Sequence, residues 1–225
     1  ESLIHAGAIN ETNIEVVSIH SEQINDKNVA SKLDSLDGLI VAPGFGERGI
    51  EGKITSIAYA RKHQIPFFGI CLGMQMAIIE YARNGAGFKT ANSTEMDENC
   101  ETPVIDLMES QKSLVNKGGT MRLGAWDCTL SKNSLAHKAY ESETISERHR
   151  HRYEFNEAYL DRIFDQDFVV TGTNPETGLV EIVEYKKHPW FIGVQFHPEY
   201  KSTVSTPHPL FVDFIKAGLI NKTKA

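Results

Sequence analysis

One stretch constrains this chain more than any other: Ile65-Pro66-Phe67-Phe68-Gly69-Ile70-Cys71-Leu72-Gly73-Met74-Gln75. The apolar run after Pro66 fits a strand covered on both faces, and Met74 to Tyr81 has helical character, so Cys71 falls in the turn between them. Gly69 and Gly73 lack a β-carbon, which lets the chain turn sharply and pack closely around one protruding side chain. This is the pattern of a nucleophile elbow. At a helix N-terminus the unpaired N–H groups and the macrodipole favour an anion, so the thiol of Cys71 is expected to have a lowered pKa.

The 225 residues are 40% hydrophobic, enough for one substantial core and one domain over 1–225. The formal net charge is -7 and the basic residues are scattered except around Glu147 to Arg152, which argues against a nucleic-acid or membrane surface. Small polar substrates fit better. The three cysteines, Cys71, Cys100 and Cys128, have neither metal-ligand spacing nor an even count, so no disulfide framework is expected and a reducing compartment is. No signal peptide or membrane-length apolar run occurs, and a cytoplasmic location is expected.

Strands are predicted at Ile14 to Ile19 and Gly38 to Val41, the second ending in the glycine loop Ala42-Pro43-Gly44-Phe45-Gly46. Glu51 to Gln64 carries Ile54, Ile57, Ala58 and Arg61 at helical spacing and leads back to the strand before Cys71. That order predicts an α/β fold with a mainly parallel central sheet and helices on both faces, its ligands beyond the C-terminal strand ends. From Asn84 to Gly119 periodicity fades, and most of this part reads as surface excursion around the acidic cluster Glu95 to Glu101. Further strands are expected at Met121 to Leu130, Glu147 to Phe155, Phe168 to Thr173, Leu179 to Tyr185 and Phe191 to Phe196. Helices are expected at Asn156 to Asp165, capped by Asn156, and at Pro209 to Leu219.

A thiol that attacks a carbonyl needs a base and a group that orients the base. Among nine histidines, one has an obvious orienter: Gly193-Val194-Gln195-Phe196-His197-Pro198-Glu199 places His197 and Glu199 two residues apart, on one side of an extended chain. His5, His20, His63, His137, His188 and His208 read as loop histidines. The oxyanion formed on attack needs donors. The Leu72 N–H follows the nucleophile directly, and Gly44 or a residue just after it is the second candidate, since Pro43 has no N–H.

Together, Gly69 to Gln75 and His197-Pro198-Glu199 resemble the class I, triad-type glutamine amidotransferases. Four further motifs match one nucleotide-synthesising member: Gly46-Glu47-Arg48-Gly49-Ile50-Glu51-Gly52-Lys53, Asn92-Ser93-Thr94-Glu95, Gly118-Gly119-Thr120-Met121-Arg122-Leu123-Gly124 and Glu147-Arg148-His149-Arg150-His151-Arg152-Tyr153-Glu154. The resemblance implies Cys71 as nucleophile, His197 as acid–base and Glu199 as its orienter. L-Glutamine is then the substrate, its α-ammonium held by Glu95, its α-carboxylate by Arg152, with Gln75 and Phe45 lining the pocket. Arg148, Arg150 and Arg152 are expected on one strand face and the histidines on the other. Arg48, Gly49, Glu51 and Gly52 fall in a lid linked to a GTP effector.

Such relatives join the glutaminase to a synthase (amidoligase) domain that uses ATP and Mg2+, in a homotetramer, and pass ammonia to it internally. This chain is accordingly expected to be the C-terminal part of a longer enzyme, with no cofactor or metal of its own. Two departures stand out: the family usually has Pro-Gly-Gly-Phe-Gly at Ala42 to Gly46, and Glu109 to Lys117 is short, which bears on contacts to the synthase domain. A γ-glutamyl hydrolase shares the Cys-His-Glu set but lacks the Arg48 to Lys53 and Arg-His-Arg-His-Arg segments. A non-catalytic module would have lost the nucleophile or the base, and both are present.

Overall fold

The computed structural model describes residues 1–107 and 121–223. The expectations placed on Glu109 to Lys117 and on Gly118-Gly119-Thr120 therefore lie outside the described residues. The helices are α1 (Ser2–Ile9), α2 (Val29–Leu33), α3 (Ile50–His63), α4 (Leu72–Asn84), α5 (Leu135–Tyr140), α6 (Leu160–Ile163) and α7 (Pro209–Lys222). The strands are β1 (Leu39–Val41), β2 (Phe67–Ile70), β3 (Ala91–Ser93), β4 (Thr102–Leu107), β5 (Arg122–Leu130), β6 (Thr144–His151), β7 (Tyr153–Phe155), β8 (Phe168–Thr173), β9 (Val180–Tyr185) and β10 (Phe191–Val194). None of the described helices is long and apolar enough to cross a membrane.

The α/β class is as expected, but the seven-stranded sheet, in the order β1-β2-β10-β9-β8-β5-β6, is mixed. Only β1–β2 and β2–β10 pair in parallel; the other pairs described are antiparallel. Connection length explains the division. α3 carries the chain back to start β2 beside β1, whereas β8, β9 and β10 follow one another through short turns, and a short link returns the chain antiparallel. Strand alternation then makes two cores. Phe67 and Phe191 face α2, α3 and α4, with ring centroids 4.3 Å apart, while Phe68, Ile192 and Val194 face α1 and α7. Helices thus cover both faces.

Two expectations are overturned. Ile14 to Ile19 forms no strand: Val16 and Val17 are exposed, and a cleft of about 940 Å³ separates this segment from β1. The β-rich composition was real, but a strand also needs a paired neighbour, and among the described residues none lies beside it. The stretch after Asn84 is not all surface. β3 and β4 join β7 in a second, three-stranded sheet, and Ala91, Val104 and Ile105 are fully buried. Tyr153 to Phe155 leaves the large sheet after His151 to complete it, so the predicted Glu147 to Phe155 strand serves two sheets.

The elbow depends on backbone approach. A β-carbon on Gly73 would lie 2.2 Å from the Val41 carbonyl oxygen, and one on Gly69 would lie 2.7 Å from the Gly73 carbonyl group. Gly73→Ala is therefore expected to cost about 1–3 kcal/mol or more, because the obstacle is backbone and cannot rotate away. A urea unfolding midpoint equal to wild type would contradict this packing.

Candidate active site

Cys71 caps α4 with φ 52° and ψ -103°, a conformation that non-glycine residues adopt at a cost of about 1–3 kcal/mol. The bend lies on the cysteine itself, since neither Gly69 nor Gly73 has positive φ; their part is close approach. The Cys71 N–H donates to the Val194 carbonyl at 2.7 Å, which locks the elbow to the end of β10. β10 in turn leads to His197, so the β2–β10 pairing brings two sequence-distant motifs to one sheet edge.

His197 is buried and its Nδ1 lies 2.7 Å from Glu199 Oε1. The extended link expected between them is instead a 3-10 turn over Pro198–Tyr200, which still carries the carboxylate back to the ring. Tyr200 stacks on the imidazole at 4.8 Å with planes 6° apart, a support that the sequence did not reveal. His197 Nε2 is buried without a hydrogen-bond partner. With Nδ1 committed to Glu199, Nε2 is the nitrogen left for proton transfer.

The expected low thiol pKa is not what this environment produces. Burial pushes Cys71 up to about 12, with the charges of Glu199 and Glu95 adding to the rise, while the Leu72 N–H and the Gln195 amide oppose it. The helix N-terminus helps locally, but desolvation of a group that is only 3% exposed is the larger effect. The resting group is a thiol.

Gly44 sits over the elbow, since a β-carbon there would meet Leu72 Cδ2 at 3.3 Å. Two residues on, the Gly46 N–H donates to Glu95 Oε1 at 2.9 Å, so the glycine loop and the end of β3 meet beside the cysteine. Phe45 is exposed on that loop and lies 5.7 Å from the Arg150 guanidinium carbon. Arg152 follows β6, and its Nε is buried with no hydrogen-bond partner. Gln75 is buried and donates to the Tyr153 carbonyl. The structure thus brings Gly44, Phe45, Cys71, Leu72, Gln75, Glu95, His197 and Glu199 to one end of the parallel strands, with Arg152 between β6 and β7.

The proposed lid segment divides at Gly49. Ile50 onward is helix, and Gly52 presses on the Ser21–Gln23 turn so closely that a β-carbon would lie 1.8 Å from Ser21 O. Gly49, at φ 68°, supplies the left-handed turn into α3, Arg48 pairs with Glu22 at 2.8 Å, and Glu51 pairs with Arg83 at 3.0 Å.

Along β6 the alternation holds as far as His151, with Arg148 and Arg150 exposed and His149 and His151 buried, whereas Arg152, expected on the arginine face, lies in the bend after the strand with its Nε buried. His151 Nδ1 lies 3.1 Å from the Tyr153 carbonyl oxygen, which can only accept, so His151 Nε2 accepts from His149 Nδ1 at 3.0 Å. Both stay neutral, burial lowering them to about 3 and about 2. His208, expected in a loop, is buried 3.1 Å from Glu147 and caps α7; His188 is buried too. Their partners lie far away in sequence.

These features define a class. The chain belongs to the class-I glutamine amidotransferases, whose family model, "Glutamine amidotransferase class-I", matches residues 1–217. Within that class it belongs with the glutaminase domains of CTP synthases. The CTP synthase of Flavobacterium johnsoniae is 62% identical over 219 residues, 97% of this chain and 41% of that protein. That of Christiangramia forsetii is 63% identical over 218 residues, 97% of this chain and 40% of that protein. The chain thus spans about two-fifths of the length of these curated relatives. Among solved structures, the glutaminase domain of Trypanosoma brucei CTPS with bound acivicin superposes with a TM-score of 0.91 at 34% identity, covering 97% of this chain and 86% of that one.

Proposed function

We propose that this chain hydrolyses L-glutamine at Cys71 and delivers the ammonia to a synthase domain that aminates UTP to CTP. The observation that carries the reading is the strained elbow of Cys71 locked to the strand that ends in the 2.7 Å His197–Glu199 pair. His197 Nε2 takes the thiol proton as sulfur attacks the carboxamide carbon, because a buried thiol near pKa 12 does not ionise in advance. Glu199 holds the ring and stabilises the imidazolium that forms. The N–H groups of Leu72 and Gly44 receive the developing oxyanion. His197 passes the proton to the departing nitrogen, ammonia leaves, and water then cleaves the thioester to glutamate.

Glu95 and Arg152 clamp the two charged ends of glutamine, with Phe45 and Gln75 shaping the pocket. A guanidinium–carboxylate contact remote from the reacting carbon is shared by ground and transition states. Arg152→Ala is therefore expected to raise KM by about 10-fold or more with kcat little changed. An unchanged KM would remove Arg152 from the site.

ATP and Mg2+ belong to the synthase half, and the homotetramer to the parent enzyme. The loop from Phe45 to Arg48 would close on that domain by exchanging its Gly46–Glu95 and Arg48–Glu22 contacts, on an α3 already anchored to the Ser21–Gln23 turn. Alone, the chain is expected to hydrolyse glutamine slowly, form no CTP and respond little to GTP, since an effector acts only through a state it binds better. Glutamate release across a GTP titration, with and without added synthase domain, tests this division. Strong GTP activation of the chain alone would overturn it.

A further inference from the structure

Gln195 directly follows β10, next to the Val194 carbonyl that accepts from the Cys71 N–H, and its side chain is buried. Its Nε2 lies 3.7 Å from Cys71 Sγ, and its Oε1 lies 3.2 Å from Gln75 Nε2. Gln75 Nε2 also donates to the Tyr153 carbonyl oxygen at 2.9 Å. Amide orientation is ordinarily ambiguous, but here a backbone carbonyl fixes it. Tyr153 O can only accept, so Gln75 must turn its NH2 towards it. The second N–H of that group then reaches Gln195 Oε1, and Gln195 is left with its own NH2 facing sulfur.

We propose that Gln195 is a further catalytic residue of this site, donating a hydrogen bond to the Cys71 sulfur, and that Gln75 is the positioning residue that holds Gln195 in the donating orientation. The proposal rests on the glutaminase reading given above. Sulfur carries negative charge twice in that reaction: when its proton has gone to His197 Nε2 and it attacks the carboxamide carbon, and again when water displaces it from the thioester. An N–H aimed at sulfur stabilises both, whereas an amide oxygen there would oppose both. The charged groups acting on the sulfur are the carboxylates of Glu199 and Glu95, and both oppose its ionisation. Gln195 is then the side-chain donor that offsets them alongside the Leu72 N–H.

The test uses iodoacetamide, which has no amino-acid end and so ignores the glutamine pocket. Its rate of reaction is followed against pH on the peptide containing Cys71, because the partly exposed Cys100 reacts as well. Gln195→Met keeps the shape and removes the donor, and the alkylation rate of Cys71 at each pH, which below the thiol's pKa follows the thiolate fraction, is expected to fall about 10-fold, the size of one charge-assisted hydrogen bond. Gln75→Met leaves Gln195 in place and adds no charge but removes the donor that fixes the Gln195 amide, so it is expected to slow the alkylation of Cys71 in the same direction. A melting temperature near wild type establishes that each variant is folded; if Gln195→Met does not fold, Gln195→Leu carries the same expectation. Folded Gln195→Met with the wild-type alkylation rate at every pH would overturn the proposal, as would Gln75→Met without a fall. Wild-type glutamate release by Cys71→Ala would instead remove the reading of the site, and this proposal with it.

Discussion

Cys71→Ala is expected to lower glutamate release by at least about 10⁴-fold, because no other group in the site can form the thioester. Cys128 gives the matched control. It is fully buried in the core between the sheet and α7, and its thiol is pushed up by burial, with the carboxylates of Glu181 and Glu147 adding to the rise. Cys128→Ala is expected to retain most activity. Glutamate release is measured for both proteins after their far-UV spectra and melting curves show native folding. Activity near wild type in Cys71→Ala would place the chemistry elsewhere.

Glu199→Gln is expected to reduce kcat by about 10²–10⁴-fold with little change in KM. The carboxylate accepts from His197 Nδ1 at 2.7 Å, and that bond presents Nε2 as a proton acceptor and strengthens as the ring becomes charged. An amide keeps the shape but not the charge, and can equally donate to Nδ1, which selects the wrong tautomer. Nothing in the described structure makes Glu199 a contact for the distant ends of glutamine, so binding is expected to survive. An unaltered kcat would take Glu199 out of the triad, leaving the Tyr200 ring as the side chain that orients His197.

Local signals in the sequence were reliable where the chemistry itself is local. Phe67 to Ile70 is buried on both faces as its unbroken apolar run implies, and α4 begins directly after Cys71. The His197–Glu199 pair was legible because only one residue separates them. Non-local properties were not. Nothing near Cys71 in sequence announces that desolvation outweighs the helix N-terminus, since the apolar cluster that encloses it draws on Val194, Phe196 and Leu210, far along the chain. The parallel pattern was overextended because it was read from the first half of the chain, where a helix connects the strands, while β5 to β10 are joined mostly by short links. Ile14 to Ile19 has strand composition without a pairing partner, β3 has only three residues, and Pro103 and Asp106 break the apolar pattern of β4. Gln195 was hidden by its setting: a single polar residue in an apolar run ending at a histidine is a signal, but its meaning depends on Gln75, 120 positions away.

The most direct measurement of the central claim treats the chain with an electrophilic glutamine analogue, a chloroketone or diazoketone, and locates the adduct by intact mass and peptide mapping. One adduct, on Cys71, blocked by excess L-glutamine, is the predicted result: among the described residues no histidine bonds to Cys100, and Cys128 is enclosed. An adduct on Cys100 or Cys128 with Cys71 unmodified would contradict the assignment of this elbow as the site of glutamine hydrolysis.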